Sequence, residues 1–227
     1  MKIMKKSISL FSVLFMFMAF MMVSIKADDN NLQIANISED AEEVKPTDEM
    51  IKLADEMDVH VRTFKTKKVV SLRSTKEQTQ EALTIETYFI PKDYAEVVPY
   101  TAGSKTESED IVYYAANVYS TIYYDRKIQN NIPLVKLTKV SGGVRNLDTG
   151  WQVTNQNVMY ACTGTYDGNP FATQRIEKNT SNLTYSYTCP STWKYVNSNA
   201  YSQIGVANKV TLKHGGSSYS ATVTNLY

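Results

Sequence analysis

The pattern of hydrophobic and polar positions changes twice along this chain. An almost unbroken apolar run over residues 8–23 gives way to a segment with scattered apolar residues, and from about Leu83 apolar and polar residues alternate in short stretches. Successive side chains of a strand point to opposite faces of its sheet, so this alternation predicts half-buried strands. We therefore expect residues 83–227 to be all-β.

Clusters of turn-forming residues separate these stretches. "LTIETYFI" predicts a strand that Pro91 closes, and the tyrosine-rich residues 111–125 predict one long strand or a bent pair. A turn at Asn130-Asn131 and a returning strand follow. Further strands are predicted over 151–153, 158–163, 171–176, 183–189, 193–196, 206–212 and 219–225, with turns at 141–143, 148–150, 155–157, 167–170, 179–182 and 214–216. This spacing predicts an antiparallel, immunoglobulin-like sandwich over residues 83–227.

Residues 28–82 have a different composition. Residues 28–58 carry eleven acidic and two basic side chains, a local charge of −9, and a basic patch follows between His60 and Arg73. Within the acidic part, "PTDEMIKLADEMDV" predicts a short helix, because its apolar residues fall on one stripe and acidic residues follow Pro46 and Thr47 at the start. We expect a poorly ordered segment or linker, acidic and then basic, that contains this helix.

The first 27 residues have the features of a secretory signal peptide. Lys2, Lys5 and Lys6 precede the apolar run, and Ala27 stands before a polar stretch. The run is shorter than the roughly 20 residues of a membrane-spanning helix, and no later run could span a membrane. We expect cleavage after Ala27 and secretion. The remaining chain has 20 basic and 23 acidic residues, a net charge of −3.

The two cysteines occur in similar alternating stretches, "VMYAC" and "LTYSYTC". Each cysteine shares its face of the strand with bulky residues, so both sulfurs are predicted to point toward the core. In an exported chain this predicts a disulfide between Cys162 and Cys189, contributing about 3–4 kcal/mol on the chain-entropy model. The alternative is a nucleophilic Cys162 activated by His214 or His60, but no helix N-terminus or glycine-rich turn adjoins it.

Other chemistry finds little support in the sequence. Neither His60 nor His214 has carboxylates or cysteines at metal-ligand spacing, so no metal site and no cofactor are predicted. The basic patch contains a single aromatic residue, Phe64, and the expected mature charge is negative. We therefore predict no nucleic-acid partner.

The aromatic content supplies the candidate binding residues. All sixteen tyrosines and both tryptophans lie beyond Leu83. Most of these tyrosines are expected to be half-buried strand residues, but a ring on a sheet surface can also stack on a sugar or contact a partner protein. Adjacent tyrosines place rings on both faces of a strand. The candidate ligand-binding residues are Tyr113, Tyr123, Trp151 and Trp193.

These observations predict a secreted, non-catalytic protein that binds a polysaccharide or a protein at or outside the bacterial cell envelope. The leader, short strands and expected disulfide resemble in style the small exported β proteins of Gram-positive bacteria, without a motif that names a family. Two alternatives remain open. One is a toxin or bacteriocin-type precursor with an acidic propeptide, and the other is a cysteine-dependent hydrolase.

Overall fold

A computed structural model describes residues 33–38, 40–72, 78–92, 111–114, 116–145, 147, 149–166, 169–199 and 201–227. The predicted signal peptide lies outside these residues. The elements, in chain order, are β1 (Gln33–Asn36), β2 (Ala41–Val44), α1 (Asp48–Glu56), β3 (Val59–Leu72), β4 (Gln78–Pro91), β5 (Ile111–Tyr114), β6 (Ala116–Gln129), β7 (Ile132–Arg145), β8 (Trp151–Tyr166), β9 (Asn169–Ala172), β10 (Arg175–Thr180), β11 (Thr184–Thr188), β12 (Val196–Asn197), β13 (Gln203–His214) and β14 (Ser217–Leu226).

Almost all of the strands belong to two antiparallel sheets. A seven-stranded sheet has the order β11-β7-β6-β4-β3-β2, with β12 also paired to β7. A five-stranded sheet has the order β10-β8-β13-β14, with β9 also paired to β8. The strands β1 and β5 form a separate two-stranded sheet. The all-β prediction is confirmed, and the fold is sandwich-like.

The finer immunoglobulin-like prediction is not confirmed. In the seven-stranded sheet β2, β3, β4, β6 and β7 are neighbours in chain order, as in an antiparallel meander. Leu83, where the sequence placed the start of the sandwich, lies within β4, and β3 pairs with β4 along most of its length. The sheet thus includes residues of the segment that the sequence placed before the sandwich.

The predicted short helix is present as α1. Thr47 caps it, since its hydroxyl accepts a hydrogen bond from the Met50 amide at 3.3 Å, and Asp48 and Glu49 occupy its first turn. Met50, Leu53 and Ala54 are buried against strands of both sheets. Packing of this apolar stripe therefore makes α1 part of the core. In the described part of the chain, no helix is long and apolar enough to cross a membrane.

The turn predictions have mixed outcomes. Asn130 and Asn131 adopt φ values of 52° and 62° between β6 and β7, as a tight hairpin turn requires, so that prediction is confirmed. The turns predicted at 141–143 and 155–157 are wrong, because these residues lie inside β7 and β8. At residues 155–157, β8 continues as a strand. A β-bulge in β8 opposite Thr211 and Leu212 takes up one extra residue there.

The inner faces of the two sheets enclose two apolar clusters. The first contains both cysteines and residues of β4, β6, β7, β8, β11 and β13: Leu83, Ile122, Tyr124, Val135, Leu137, Val140, Val158, Tyr160, Cys162, Tyr185, Cys189, Trp193, Val196, Ile204 and Val206. The second contains the α1 stripe and residues of β3, β4, β6, β7, β13 and β14: Met50, Leu53, Ala54, Val59, Phe89, Ala116, Val118, Val144, Val210, Leu212, Ala221 and Val223. Both clusters draw residues from both sheets.

Candidate functional site

The outer face of the seven-stranded sheet carries a small buried apolar cluster of Ile37, Phe64, Tyr88 and Ile90 toward β3 and β4, and polar side chains elsewhere. Val118, Ile122 and other even-numbered residues of β6 are buried in the two clusters, so Tyr119, Thr121 and Tyr123 point the opposite way. Strand pairing places residues of β4 and of β7 directly beside those of β6, with their side chains on the same face. Side chains from widely separated parts of the chain are therefore neighbours on this outer face.

Five hydroxyl side chains form one straight row across this face, one from each of five neighbouring strands. Thr66 of β3 pairs with Thr84 of β4, Thr84 with Thr121 of β6, Thr121 with Ser141 of β7, and Ser141 with Ser186 of β11. We call this set the hydroxyl row. Neighbouring strands lie about 4.8 Å apart, so the row spans about 19 Å. The Thr84 and Thr121 hydroxyls are 3.0 Å apart and share a hydrogen bond.

The hydroxyl row is open to solvent at one end. Thr66 and Thr121 are buried beneath their neighbours, Thr84 and Ser141 are half-buried, and Ser186 is exposed. The hydroxyls available to a ligand are therefore those toward β7 and β11. A hydroxyl both donates and accepts a hydrogen bond, so these positions suit a ligand that is itself rich in hydroxyls.

Two tyrosine rings border the hydroxyl row, and each has a cation over its face. Tyr123 lies two residues beyond Thr121, and the Lys139 ammonium is 5.2 Å from its ring centroid. Tyr119 lies two residues before Thr121, and the Arg145 guanidinium is 4.1 Å from its ring centroid. Such cation–π contacts hold both rings in place.

The Tyr119 side of the row has further fixed polar groups. The Arg145 guanidinium donates to Glu86 of β4 and to the Asn117 side-chain oxygen, the latter at 3.2 Å. Burial raises the pKa of Tyr119, although the Arg145 charge opposes that rise. The Tyr119 phenol is therefore neutral near pH 7 and is available for hydrogen bonding.

The four aromatic candidates from the sequence have different surroundings. Tyr123 is half-buried on the outer face, beside the hydroxyl row. Trp151 is half-buried at the end of β8, where its ring stacks on His214 at 4.5 Å and lies 6.0 Å from Tyr219. The structure does not bring Trp151 and Tyr123 together, since they belong to different sheets.

The remaining two aromatic candidates do not add to the site. Trp193 is buried in the first apolar cluster, with its ring centroid 5.8 Å from that of Tyr160. Because Trp193 is only 8% exposed, it has little surface to offer a ligand, and its burial does not support that prediction. Tyr113 pairs with Ile34 between β5 and β1, but its side chain lies outside what the structure describes.

The two cysteines are buried in the first apolar cluster as free thiols, beyond disulfide distance. The predicted disulfide is thus not present in the structure. The Cys162 sulfur accepts a weak hydrogen bond from the Leu137 amide at 3.5 Å. Burial raises the pKa of Cys162 to about 11 and that of Cys189 to about 12, and the charge of Cys162 adds to the second rise. Both sulfurs are therefore protonated, and poorly nucleophilic, near neutral pH.

The histidines and acids give no sign of a metal centre. His60 is exposed on β3, while His214 contacts Trp151 at the far end of β13. Among the residues that the structure describes, no three His, Cys, Asp or Glu side chains lie close enough to hold a metal ion.

Reading the sequence strand by strand missed the hydroxyl row. Each of its threonines and serines is an ordinary polar position of an alternating strand. Their alignment depends on the register between strands that are far apart in sequence, such as β4 and β11. A tyrosine two residues from a threonine in "YSTIYY" was the only local signal.

Comparisons with known proteins give no relative for this chain: no protein-family model, no curated protein and no solved structure matches it.

Proposed function

We propose that this protein is a secreted, non-catalytic binding protein whose ligand is a polysaccharide at or outside the cell envelope. The observation that carries the proposal is the alignment of five hydroxyls across the outer face of the seven-stranded sheet, between the rings of Tyr119 and Tyr123. The signal peptide over residues 1–27 and cleavage after Ala27 belong to the same proposal.

The chemistry of the outer face suits a sugar chain. Sugar rings have apolar faces that stack on aromatic side chains and edges that carry hydroxyls, and both kinds of contact are available here. The cations of Lys139 and Arg145 are already over tyrosine rings, and Arg145 also binds Glu86. The face therefore favours a neutral or weakly acidic polysaccharide over a strongly charged ligand.

The two alternative functions receive less support from the packing. Removal of a propeptide that contains the acidic segment would take Met50, Leu53 and Ala54 out of the second apolar cluster, where they are buried. A cysteine nucleophile requires an accessible thiolate, whereas burial keeps both thiols protonated. These observations favour binding over either alternative.

The disulfide remains part of the proposal for the exported protein. Cys162 and Cys189 belong to one cluster, and both contact β7, where the Cys189 amide donates to the Thr138 carbonyl at 2.9 Å. An oxidising compartment favours joining two such thiols, and Cys189, at the end of β11, is the cysteine better placed to move. Intact mass of the secreted protein with and without reduction tests this, and two freely alkylated cysteines after unfolding would exclude the bond.

Affinity electrophoresis in gels that contain cell-wall polysaccharide tests the binding proposal. We expect the protein starting at Asp28 to be retarded, and the Tyr123→Ala variant to lose about tenfold or more in affinity, since stacking on a ring typically contributes about 1–3 kcal/mol. A Ser141→Ala/Ser186→Ala double variant is expected to weaken binding by a similar factor through lost hydrogen bonds.

Tyr201→Ala is the matched control, because Tyr201 is 80% exposed and lies outside the outer-face site. It is expected to bind as the unmodified protein does. Equal retardation of the Tyr123 and Tyr201 variants, at unchanged thermal stability, would exclude the outer face as the polysaccharide site. Binding to envelope proteins but to no polysaccharide would instead favour a protein ligand.

A further inference from the structure

A layer of buried polar residues separates the two apolar clusters. On β6, Ala116 and Val118 belong to the second cluster, Ile122 and Tyr124 to the first, and Ser120 lies between them. The same change occurs at Gly142 of β7, Gln156 of β8 and Asn208 of β13, and Asn225 follows Val223, the last residue of β14 in the second cluster. We call these five residues, together with Tyr185, the polar layer.

The polar layer has no contact with solvent at its centre. Ser120, Gln156, Asn208 and Asn225 are each 0% exposed, and Tyr185 is 6% exposed. Buried polar groups of this kind cost free energy unless each finds a hydrogen-bond partner. Each donor and acceptor of the polar layer therefore needs a hydrogen-bond partner.

The side-chain NH2 groups of the three carboxamides all donate hydrogen bonds. Gln156 donates to the Leu183 carbonyl at 2.9 Å, and Asn208 donates to the Gln156 side-chain oxygen at 3.0 Å. Asn225 donates to the carbonyls of Leu83 and Ser120 in the opposite sheet, both at 2.8 Å. The polar layer thus holds the two sheets together through directed hydrogen bonds.

Four buried oxygen atoms of the layer have no hydrogen-bond partner among the described residues, apart from a contact between the Ser120 and Tyr185 hydroxyls. Two are the side-chain oxygens of Asn208 and Asn225, which only accept, and two are the hydroxyls of Ser120 and Tyr185, which can donate. Pairing places Asn208 and Asn225 diagonally on neighbouring strands, since Asn208 pairs with Val223. Tyr185 and Ser120 both pair with Gly142 from its two sides, so their side chains meet over a glycine.

We propose that the polar layer binds one internal water molecule, which donates to the side-chain oxygens of Asn208 and Asn225 and accepts from the hydroxyl pair formed by Ser120 and Tyr185. A water molecule has two donors, which match the two unpartnered acceptors, and the hydroxyl pair keeps one hydrogen to donate to the water once one hydroxyl has donated to the other. This water bridges the two sheets at the level where the apolar clusters end.

The same four oxygens are the kind that a monovalent cation binds, but water fits the layer better. None of the six residues of the polar layer is a carboxylate, so a cation there would be a buried charge without a counter-charge. Water adds no charge and uses the hydroxyls as donors.

A high-resolution crystal structure of the unmodified protein, grown in a lithium buffer free of sodium and potassium, tests the proposal directly. We expect one peak of density at water occupancy within hydrogen-bond distance of Ser120, Tyr185, Asn208 and Asn225. Absence of density there, or direct hydrogen bonds from the two hydroxyls to the two asparagines, would overturn the proposal. A peak that appears only after soaking in a rubidium salt would assign the site to a cation and would also overturn it.

A double-mutant cycle gives a second, independent test in solution. Ser120→Ala and Asn208→Ala remove groups on opposite sides of the proposed water, so each is expected to lower the folding equilibrium constant by about tenfold. Their combination is expected to cost several-fold less than the product of the two, because the first loss already disrupts the bridge.

Thr87→Val is the matched control for the cycle. Thr87 is also a buried hydroxyl on the seven-stranded sheet, but its hydroxyl is paired directly with that of Thr63 at 3.2 Å. It is expected to combine with Asn208→Ala additively. If Ser120→Ala combines with Asn208→Ala just as additively, no water links these two residues and the proposal is wrong.

Discussion

Glu81 is a carboxylate inside the sandwich, and its partners decide its charge. It pairs with Tyr124 in the neighbouring strand, whose hydroxyl donates to its carboxylate at 2.8 Å, and the Lys67 ammonium lies 2.8 Å from the same oxygen. Burial by itself raises the pKa of Glu81, but the contacts with Lys67 and Tyr124 outweigh burial and hold the pKa below its ordinary value of 4.5.

The depressed pKa of Glu81 predicts a specific acid sensitivity. A carboxylate with a lower pKa in the folded state contributes stability above the unfolded-state value, and that contribution is lost as the pH falls from about 4.5 through the folded-state value. Glu81→Gln is expected to reduce stability at pH 7 and to flatten its loss below pH 4.5. Urea unfolding across this range measures both effects, and an unchanged slope with pH would contradict the assignment.

Gly142 gives a second prediction at the residue scale. A Cβ atom at this position would lie 2.5 Å from the Tyr185 hydroxyl and 2.5 Å from the Tyr119 carbonyl oxygen, closer than real Cβ contacts. Gly142→Ala is expected to destabilise the fold by about 1–3 kcal/mol, the usual range for overpacking. Adding Tyr185→Phe removes the hydroxyl oxygen but leaves the ring carbon Cζ, which lies 2.7 Å from the added Cβ, so it should recover only part of the loss. A Gly142→Ala protein as stable as the original by thermal unfolding would contradict this account.

At the scale of elements, α1 shows how a short amphipathic helix is stabilised. Nine residues are too few for a stable isolated helix in water, so burial of its apolar stripe supplies most of the stability. Glu49 adds a contact to the strand beside it, since its carboxylate accepts from the Thr222 hydroxyl at 3.1 Å. The helix therefore depends on the sheets against which it packs.

Two substitutions on α1 separate packing from helix propensity. Leu53 is 4% exposed and Ile51 is 37% exposed on the same helix. Leu53→Ala is expected to cost about 2–4 kcal/mol of unfolding free energy, whereas Ile51→Ala should cost less than about 1 kcal/mol. Denaturant unfolding measures both. Equal costs would show that α1 does not pack against the sheets as described.

At the edge of the seven-stranded sheet, an acidic residue and a basic residue from the two parts of the N-terminal segment form an ion pair. Glu43 of β2 accepts two hydrogen bonds from Arg62 of β3, at 2.8 and 2.7 Å, and both side chains are largely buried. The Arg62 guanidinium also lies 4.9 Å from the Phe64 ring centroid. Acidic and basic residues that look like separate patches in sequence are thus partners across one strand pair.

For the whole molecule, the acidic segment contributes to the stability of the fold. Residues 41–56 provide the edge strand β2 and the helix α1, which place side chains against both sheets. A chain that starts at Val59 is expected to unfold at a much lower temperature than one that starts at Asp28, because it loses the burial of Met50, Leu53 and Ala54. Equal melting temperatures would revive the propeptide interpretation, and N-terminal mapping of the secreted protein would then decide it.

The sequence predicted correctly those parts of the fold that depend on a few neighbouring residues. The hairpin at Asn130-Asn131 and the helix after Thr47 were predictable, because a turn residue or a cap acts on its own few neighbours. The turns predicted at Gly142-Gly143 and at Gln156 were wrong. Glycine and polar residues usually mark turns, but here Gly142 and Gln156 lie on inner strand faces as part of the polar layer.

The candidate site was only partly predictable for the same reason. Tyr123 was selected because adjacent tyrosines place one ring on each face of a strand, and the structure does place it on the outer face. Trp193 was selected as an aromatic on a short strand, but it fills the core beside Tyr160. One strand cannot reveal which of its two faces is covered.

The sequence by itself predicted an all-β region from about Leu83 and a short helix after Thr47, because alternation, turn residues and caps act within a few residues of one another. Only the tertiary structure decided which strands are neighbours and in what register. That register aligns Thr66, Thr84, Thr121, Ser141 and Ser186 on the outside. It also brings Ser120 and Asn225 together inside. Packing of one whole sheet on another fixes these alignments, and no short stretch of sequence carries that information.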